Sequence, residues 1–329
     1  MRAVLFFAGT VLVAGAFSLT VLRPMGDEQL LPAPVAGQRF WELSTGSRLA
    51  YVRVPTEGEA RPEPVIFLHG GPGIPDMRGD VRYFGDLSRE GFDVYIYDLV
   101  GRGSSSRLDD PRHYTLGRDV RDLEEVRRKI GAERMILVGH SHGGMVAAAY
   151  AASHPDHVAK LVLSSPEDPS PAARLHHPAG ESGSGPQLRR GCRDGRPLRP
   201  RVQPEQVRPS LRGRTFGTQA PRPRLLRSLL PQSAAREPHA DFLPDLAGLG
   251  APALVIKGSC DYVSWSSAQE CLRVLPEARL AYLDGAGHNA YQDEPGRYTA
   301  QVRAFLLGRP LPEGPYKGSR MPDDYEGPS

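Results

Sequence analysis

The stretch that decides the fold is LVGHSHGGMVAAAYA, Leu137 to Ala151. An apolar run from Met135 leads into it, and a run of small residues, GGMVAAAYAA, leads out. Between them Gly139-His140-Ser141-His142-Gly143 reads G-x-S-x-G. In that setting the five residues describe a sharp strand-to-helix turn that lifts a serine hydroxyl above the end of a sheet. Glycines suit such a turn because it is strained and neighbouring chain passes close to it. The helix that follows aims the positive end of its dipole at the serine. Ser141 is therefore the candidate nucleophile.

A serine hydroxyl needs a base to attack at neutral pH. His140 and His142 flank it, but adjacent side chains in a tight turn project in different directions. Neither is expected to reach Oγ; both are expected to shape the pocket or pack beside it. The candidate base is His288, in LDGAGHNAY, on a loop after the last apolar strand segment. Parallel sheets gather their functional loops at that end of the strands. The base in turn needs a carboxylate to fix its tautomer and stabilise its charged form. Asp261, in VIKGSCDYVSW, follows the preceding strand segment and is the candidate; Asp168, after LVLSSPE, is the alternative acid. Asp284 lies too near the end of its own strand to swing back.

Attack on a carbonyl creates an oxyanion that needs preorganised donors. One is expected from the backbone N–H of His142, the other from HGGPG, His69 to Gly73. Pro72 has no N–H, so Gly71 is the candidate and Gly73 the other choice. His69, Gly70 and Gly73 are expected to support that loop. No cofactor and no metal are expected. YDLVGRGSSS lacks the Lys-Ser/Thr ending of a phosphate loop; Asp98 and Arg102 are expected to hold it instead. Two histidines around one serine do not have metal-ligand geometry.

Working outward, apolar segments alternate with helical patterns. EPVIFLHGGPG, FDVYIYDLV, RMILVGHS, VAKLVLSSP, APALVIKGSCD and ARLAYLDGAGH read as strands. In TLGRDVRDLEEVRRKIGA, Val120, Leu123, Val126 and Ile130 recur at helical spacing before Gly131. This alternation predicts an α/β fold with a mostly parallel, doubly wound sheet. FWELSTGSRLAYVRVP adds an antiparallel hairpin at the N-terminal edge.

The 329 residues, 40% hydrophobic and 24% charged, suffice for a large α/β domain. Residues 39–167 and 244–308 read as its two halves, and 24–38 as a linker. Residues 309–329 read as a flexible tail, and 168–243 as an atypical, disordered cap insertion. The cap region is saturated with Arg, Pro and Gly, and Pro169–Leu230 contains no Lys, Ile, Tyr or Trp. Such composition forms neither long helices nor a core, and it also resembles GC-rich coding sequence read in a shifted frame. The chain's net charge is +3 with the basic residues unevenly distributed, and this Arg-rich region is nearly free of aromatics, so nucleic acid is not expected as a partner. Cys260 and Cys271 could pair or remain small core residues; with Cys192 they have no zinc spacing.

The N-terminus, MRAVLFFAGTVLVAGAFSLTVLRP, holds mostly apolar residues between Arg2 and Arg23. That is about the 20 residues a bilayer crossing needs. Residues 1–23 are expected to be a signal-anchor, or a signal peptide cleaved near Ala14 to Ala16. Either way the chain is expected to be exported, touching the membrane through this segment only.

HGGPG, GHSHGG, GSCDYV and GAGHN together resemble the α/β-hydrolase superfamily, and HGGPG its proline iminopeptidase-like branch. The resemblance covers about residues 39–167 and 244–308. It implies the α/β-hydrolase fold and a cofactor-free serine hydrolase acting through an acyl-enzyme, with the family order Ser141, Asp261, His288. It implies a small-peptide or other small-molecule substrate, with aminopeptidase activity first and carboxylesterase activity as the alternative. A third expectation is an impaired product with a frame-shifted cap. Members of the family place a helical cap where this chain has its Arg/Pro-rich region, and Glu181 and Glu205 match no cap motif.

Overall fold

Val65, Ile66, Phe67 and Leu68 are all fully buried, which only a strand covered on both faces can be. They form β3 (Val65–Leu68), near the middle of one sheet. The computed structural model describes residues 32–71, 75–167, 242–318 and 320–328. The N-terminal segment 1–23, Gly73, Asp168 and residues 168–241 of the cap region lie outside the described residues.

The edge is the expected hairpin, β1 (Arg39–Glu42) and β2 (Arg48–Val54), paired antiparallel. β2 pairs antiparallel with β4 (Val94–Tyr97). From there every pairing is parallel, through β3, β5 (Met135–His140), β6 (Val158–Ser164), β7 (Ala253–Cys260) and β8 (Ala278–Gly287). Among the described residues the sheet has eight strands, in the order β1-β2-β4-β3-β5-β6-β7-β8. The chain leaves β3 toward one side for β4 and returns on the other side for β5. The loops after β3 and β5 therefore diverge over a crevice at the strands' C-terminal ends, the place where open α/β sheets bind ligands.

Successive side chains of a strand point to opposite faces, and here they feed two apolar layers. Ile66, Leu68 and Leu137 join α2 (Leu116–Ile130), α3 (His142–Ser153) and α5 (Trp265–Val274) on one face. Val65, Phe67 and Val138 join α1 (Met77–Phe84) and α7 (Pro295–Leu306) on the other. The short helices α4 (Leu243–Leu246) and α6 (Ala290–Asp293) complete the described elements used below. α2 forms as its sequence predicts. The Thr115 hydroxyl accepts the Arg118 N–H at its start, Val120, Leu123 and Val126 are buried, and Gly131 ends it at φ 69°.

One expectation needs correction. The C-terminal tail packs on the sheet edge. Tyr316 N–H donates to the Leu280 carbonyl (2.7 Å), Glu326 N–H to that of Ser259 (2.8 Å), and Trp265 N–H to that of Pro328 (2.8 Å). The rings of Tyr316 and Tyr325 lie against Trp265, 5.8 and 5.2 Å between centroids. Two aromatic anchors offset the ordering entropy that the Pro/Gly-rich composition suggested the tail could not meet. Of the two readings left open for Cys260 and Cys271, the structure takes the one without a bond between them: Cys271 is buried on α5 and is not bonded to Cys260. Among the described residues no helix is long and apolar enough to cross a membrane.

Candidate active site

Ser141 sits between β5 and α3 with φ 52° and ψ −121°. A non-glycine residue there costs on the order of 1–3 kcal/mol, and the surroundings must impose it. They do so through the backbone. Ser141 N–H donates to the Ser164 carbonyl on β6 (2.9 Å), and its carbonyl accepts from Gly144 (2.8 Å) and Met145 (3.2 Å). The flanking glycines are required by close approach. A Cβ at Gly139 would fall on the Gly143 carbonyl, and one at Gly143 on the Leu68 carbonyl.

The three nearby histidines have separate partners. His140 is buried, and its Nε2 lies 3.0 Å from Asn289 Oδ1. Burial, reinforced by the neighbouring His288, lowers its pKa to about 3, so its ring is neutral at ordinary pH. His142 turns to α2, with Nε2 3.1 Å from Asp119 Oδ2. His288 Nδ1 lies 2.8 Å from Asp261 Oδ1, and both side chains are buried. That contact leaves Nε2 as the ring nitrogen on the opposite side from the carboxylate. The His288 ring stands 4.9 Å from that of His140, the residue just before Ser141. Tyr262 covers it from outside at 4.1 Å and is itself 58% exposed.

Asp261 occupies the turn after β7 and is fully buried. Its Oδ1 also accepts the Val263 N–H (3.0 Å), and Oδ2 accepts from Lys257 Nζ (2.8 Å). Burial alone would push this carboxyl up. The His288 hydrogen bond and the Lys257 charge outweigh it and hold the group below the usual carboxylate range. Asp261 is thus ionised, as an acceptor for an imidazole N–H must be.

On the opposite wall, His69 follows β3. Its Nδ1–H donates to the Gly70 carbonyl (2.7 Å), and its Nε2 accepts the Leu99 N–H (3.0 Å). Burial and the Arg102 charge lower its pKa to about 3, which preserves that tautomer. His69 so ties the loop after β3 to the loop after β4. Gly70 backs onto His140 and Ser141: a Cβ there would lie 2.9 Å from His140 Cδ2 and 3.1 Å from Ser141 Cβ. A Cβ at Gly71 would fall on the Arg102 guanidinium. Arg102 therefore packs on the loop that carries Gly71, and Asp98 accepts the Ser104 N–H (2.8 Å) to close its own turn. Burial pushes the Asp98 carboxyl up to about 7. The His142 N–H opens α3, where first-turn donors have no partner within the helix.

The structure thus brings Ser141, His288, Asp261, His69, Gly70, Gly71 and His142 to one end of the sheet. Sequence reasoning missed Lys257, Asn289 and Asp119. Lys257 did leave a signal, since a lysine inside the apolar run ALVIKGSC must find a buried counter-charge. Asn289 and Asp119 left none, because their partners are 149 and 23 residues away. Among the described residues no group of three or more His, Cys, Asp or Glu side chains could hold a metal ion.

Comparison with known proteins finds the same fold. A family model described as the alpha/beta hydrolase fold matches residues 63–186. A proline iminopeptidase of Saccharolobus solfataricus is 37% identical over 105 residues, 31% of this chain and 32% of that protein. A proline iminopeptidase of Lactobacillus delbrueckii subsp. bulgaricus is 28% identical over 296 residues, covering 81% of this chain and 97% of that one. The crystal structure of a Mycobacterium smegmatis proline iminopeptidase superposes with a TM-score of 0.57 at 22% identity, over 82% of this chain and 98% of that one. The strand order, the strained serine turn and these likenesses agree on one architecture: the chain has the α/β-hydrolase fold and is similar in sequence to proline iminopeptidases.

Proposed function

We propose that this hydrolase is a serine enzyme whose triad is Ser141, His288 and Asp261, and that it removes the N-terminal residue from small peptides. Support comes above all from the buried His288–Asp261 pair, whose imidazole lies 4.9 Å from the ring of His140, the neighbour in sequence of a serine held at φ 52°. With Nδ1–H given to an ionised carboxylate, His288 Nε2 is the basic nitrogen. It takes the Ser141 hydroxyl proton as Oγ bonds to the substrate carbonyl carbon. The negative charge on the carbonyl oxygen is received by the N–H groups of Gly71 and His142. When the C–N bond breaks, His288 returns the proton to the departing amine. The acyl group remains as an ester on Ser141. Water then repeats the sequence, giving up a proton to His288 and releasing the acid and the free hydroxyl.

The peptide preference rests on the relatives. The same steps would cleave an ester, so the decisive test carries both substrates. Wild type should react with a fluorophosphonate probe at Ser141 and release the N-terminal amino acid from short peptides faster than it hydrolyses short acyl esters. Absence of labelling in folded protein would contradict the serine mechanism, and ester turnover dominating peptide turnover would contradict the substrate. Residues 1–23 would carry the enzyme out of the cytoplasm, anchored or released. Fractionation of cells expressing full-length chain and chain lacking residues 1–23 tests that; the same soluble cytoplasmic distribution for both would contradict it.

A further inference from the structure

Asp261 has two carboxylate oxygens and His288 uses one. The other is met by Lys257, whose ammonium is fully buried and contributes a 2.8 Å ion pair from within the sheet. Lys257 Nζ also donates to the Val263 carbonyl at 2.6 Å. The Tyr325 hydroxyl donates to that same carbonyl at 2.7 Å and lies 3.2 Å from the Asp261 carbonyl. The Tyr325 ring stands 5.9 Å from Nζ. Glu326 and Pro328 then bond to Ser259 and Trp265, the residues on either side of the acid turn. The turn that bears Asp261 is thus held from below by a strand lysine and from outside by the chain's last residues.

We propose that Lys257 and Tyr325 are positioning residues for the acid of the triad, so that the C-terminal tail is part of the catalytic apparatus. This rests on the triad reading above. A carboxylate pivots about its Cβ–Cγ bond. Fixing Oδ2 on Lys257 and Oδ1 on Val263 N–H leaves one orientation, the one that aims Oδ1 at His288 Nδ1. The lysine supplies charge as well. Removing one partner of a buried pair leaves the other charge uncompensated, so without Lys257 the carboxylate would satisfy itself by holding the imidazolium more tightly. The proton on His288 would then leave less readily. The charged and titratable neighbours bear on this balance. Lys257 faces Asp261, Tyr325 and, through α5, Cys271. His288 faces Asp261, His140, Tyr262 and, by its charge, Asp293. Lys257 is the cation in contact with the carboxylate.

The test is the pH profile of kcat/KM for wild type, Lys257→Met, Lys257→Arg and Tyr325→Phe in the full-length enzyme, with thermal melts alongside. Lys257→Met should lower kcat by about tenfold with KM unchanged, since it touches no substrate. Its acidic limb should move to higher pH by about one pH unit. Lys257→Arg should restore the position of the limb, because it restores the charge. Tyr325→Phe, which leaves the charge in place, should lower kcat about threefold with the limb unmoved. An acidic limb that stays in place in Lys257→Met while the melting temperature falls would overturn the proposal for Lys257, leaving it a structural residue. Wild-type kcat in Tyr325→Phe would overturn it for Tyr325. Should Lys257→Met fail to fold, Lys257→Arg and Tyr325→Phe still decide: a limb displaced in Lys257→Arg, or wild-type kcat in Tyr325→Phe, counts against it. Wild type that fails to label at Ser141 would sink the triad reading itself; labelled wild type with unresponsive variants would sink this inference alone.

Discussion

The turn after β5 and the turn after β7 are built in opposite ways. The β5 turn advertises its chemistry, with a serine between two histidines and glycines on both sides. Yet each of those histidines is committed elsewhere, His140 to Asn289 and His142 to Asp119. The β7 turn resembles an ordinary strand end. It nevertheless contains an ionised acid, a buried lysine and the carboxylate contact to His288. A tight turn splays its side chains, and on the proposed mechanism the base comes from a different loop, the one that carries His288.

Breaking the link between the serine and the histidine held by the β7 turn should cost most. Ser141→Ala should abolish probe labelling and reduce turnover to background, and His288→Ala should lose a factor on the order of 10³ or more in kcat/KM. Equal labelling of Ser141→Ala and wild type would place the nucleophile elsewhere. Next comes the oxyanion wall. A Cβ at Gly71 would displace the Arg102 guanidinium, so Gly71→Ala should lower kcat by about 10²-fold while substrate binding changes little. A variant with unchanged kcat would remove Gly71 from the site.

The histidines of the β5 turn should be forgiving. His142→Ala keeps the backbone N–H and loses only a partly exposed contact to Asp119. Turnover should stay within about threefold of wild type and stability within about 1 kcal/mol by denaturant titration. His140 makes a thermodynamic prediction, with little expected change in turnover. Its pKa is lowered from 6.5 to about 3 in the folded protein. The unfolded chain therefore binds a proton below pH 6.5 that the folded chain refuses until about pH 3. A group refused protonation in this way costs stability as pH falls. Wild type should lose stability relative to His140→Gln across that window, with a slope difference approaching one proton. Parallel pH dependences would contradict a buried neutral His140.

How much of this could be read from the chain follows from which constraints are local. The elbow was legible because Gly139 and Gly143 are demanded by close backbone contacts at the turn itself. The positions of His288 and Asp261 at one end of the sheet were legible because each follows a strongly apolar strand segment. The helix from Leu116 to Ile130 was legible from its period and its Thr115 and Gly131 ends. The tail was not, because Tyr316 and Tyr325 find Trp265 only after the sheet forms, and Pro/Gly content says nothing of that. The Lys257–Asp261 pair spans four residues, but a strand followed by a bulged turn brings them together in a way no periodic pattern encodes; β7 and β8 shift register between Gly258 and Cys260. The cap region, outside the described residues, is known by its composition alone.

The central claim is that the working histidine is the distant one. Its most direct test is kcat/KM for His288→Ala beside His140→Gln and His142→Ala, each checked for fold and for Ser141 content. The expected result is a loss on the order of 10³ or more for His288→Ala and of less than about tenfold for the other two. Loss of turnover in His142→Ala or His140→Gln with His288→Ala active would contradict it.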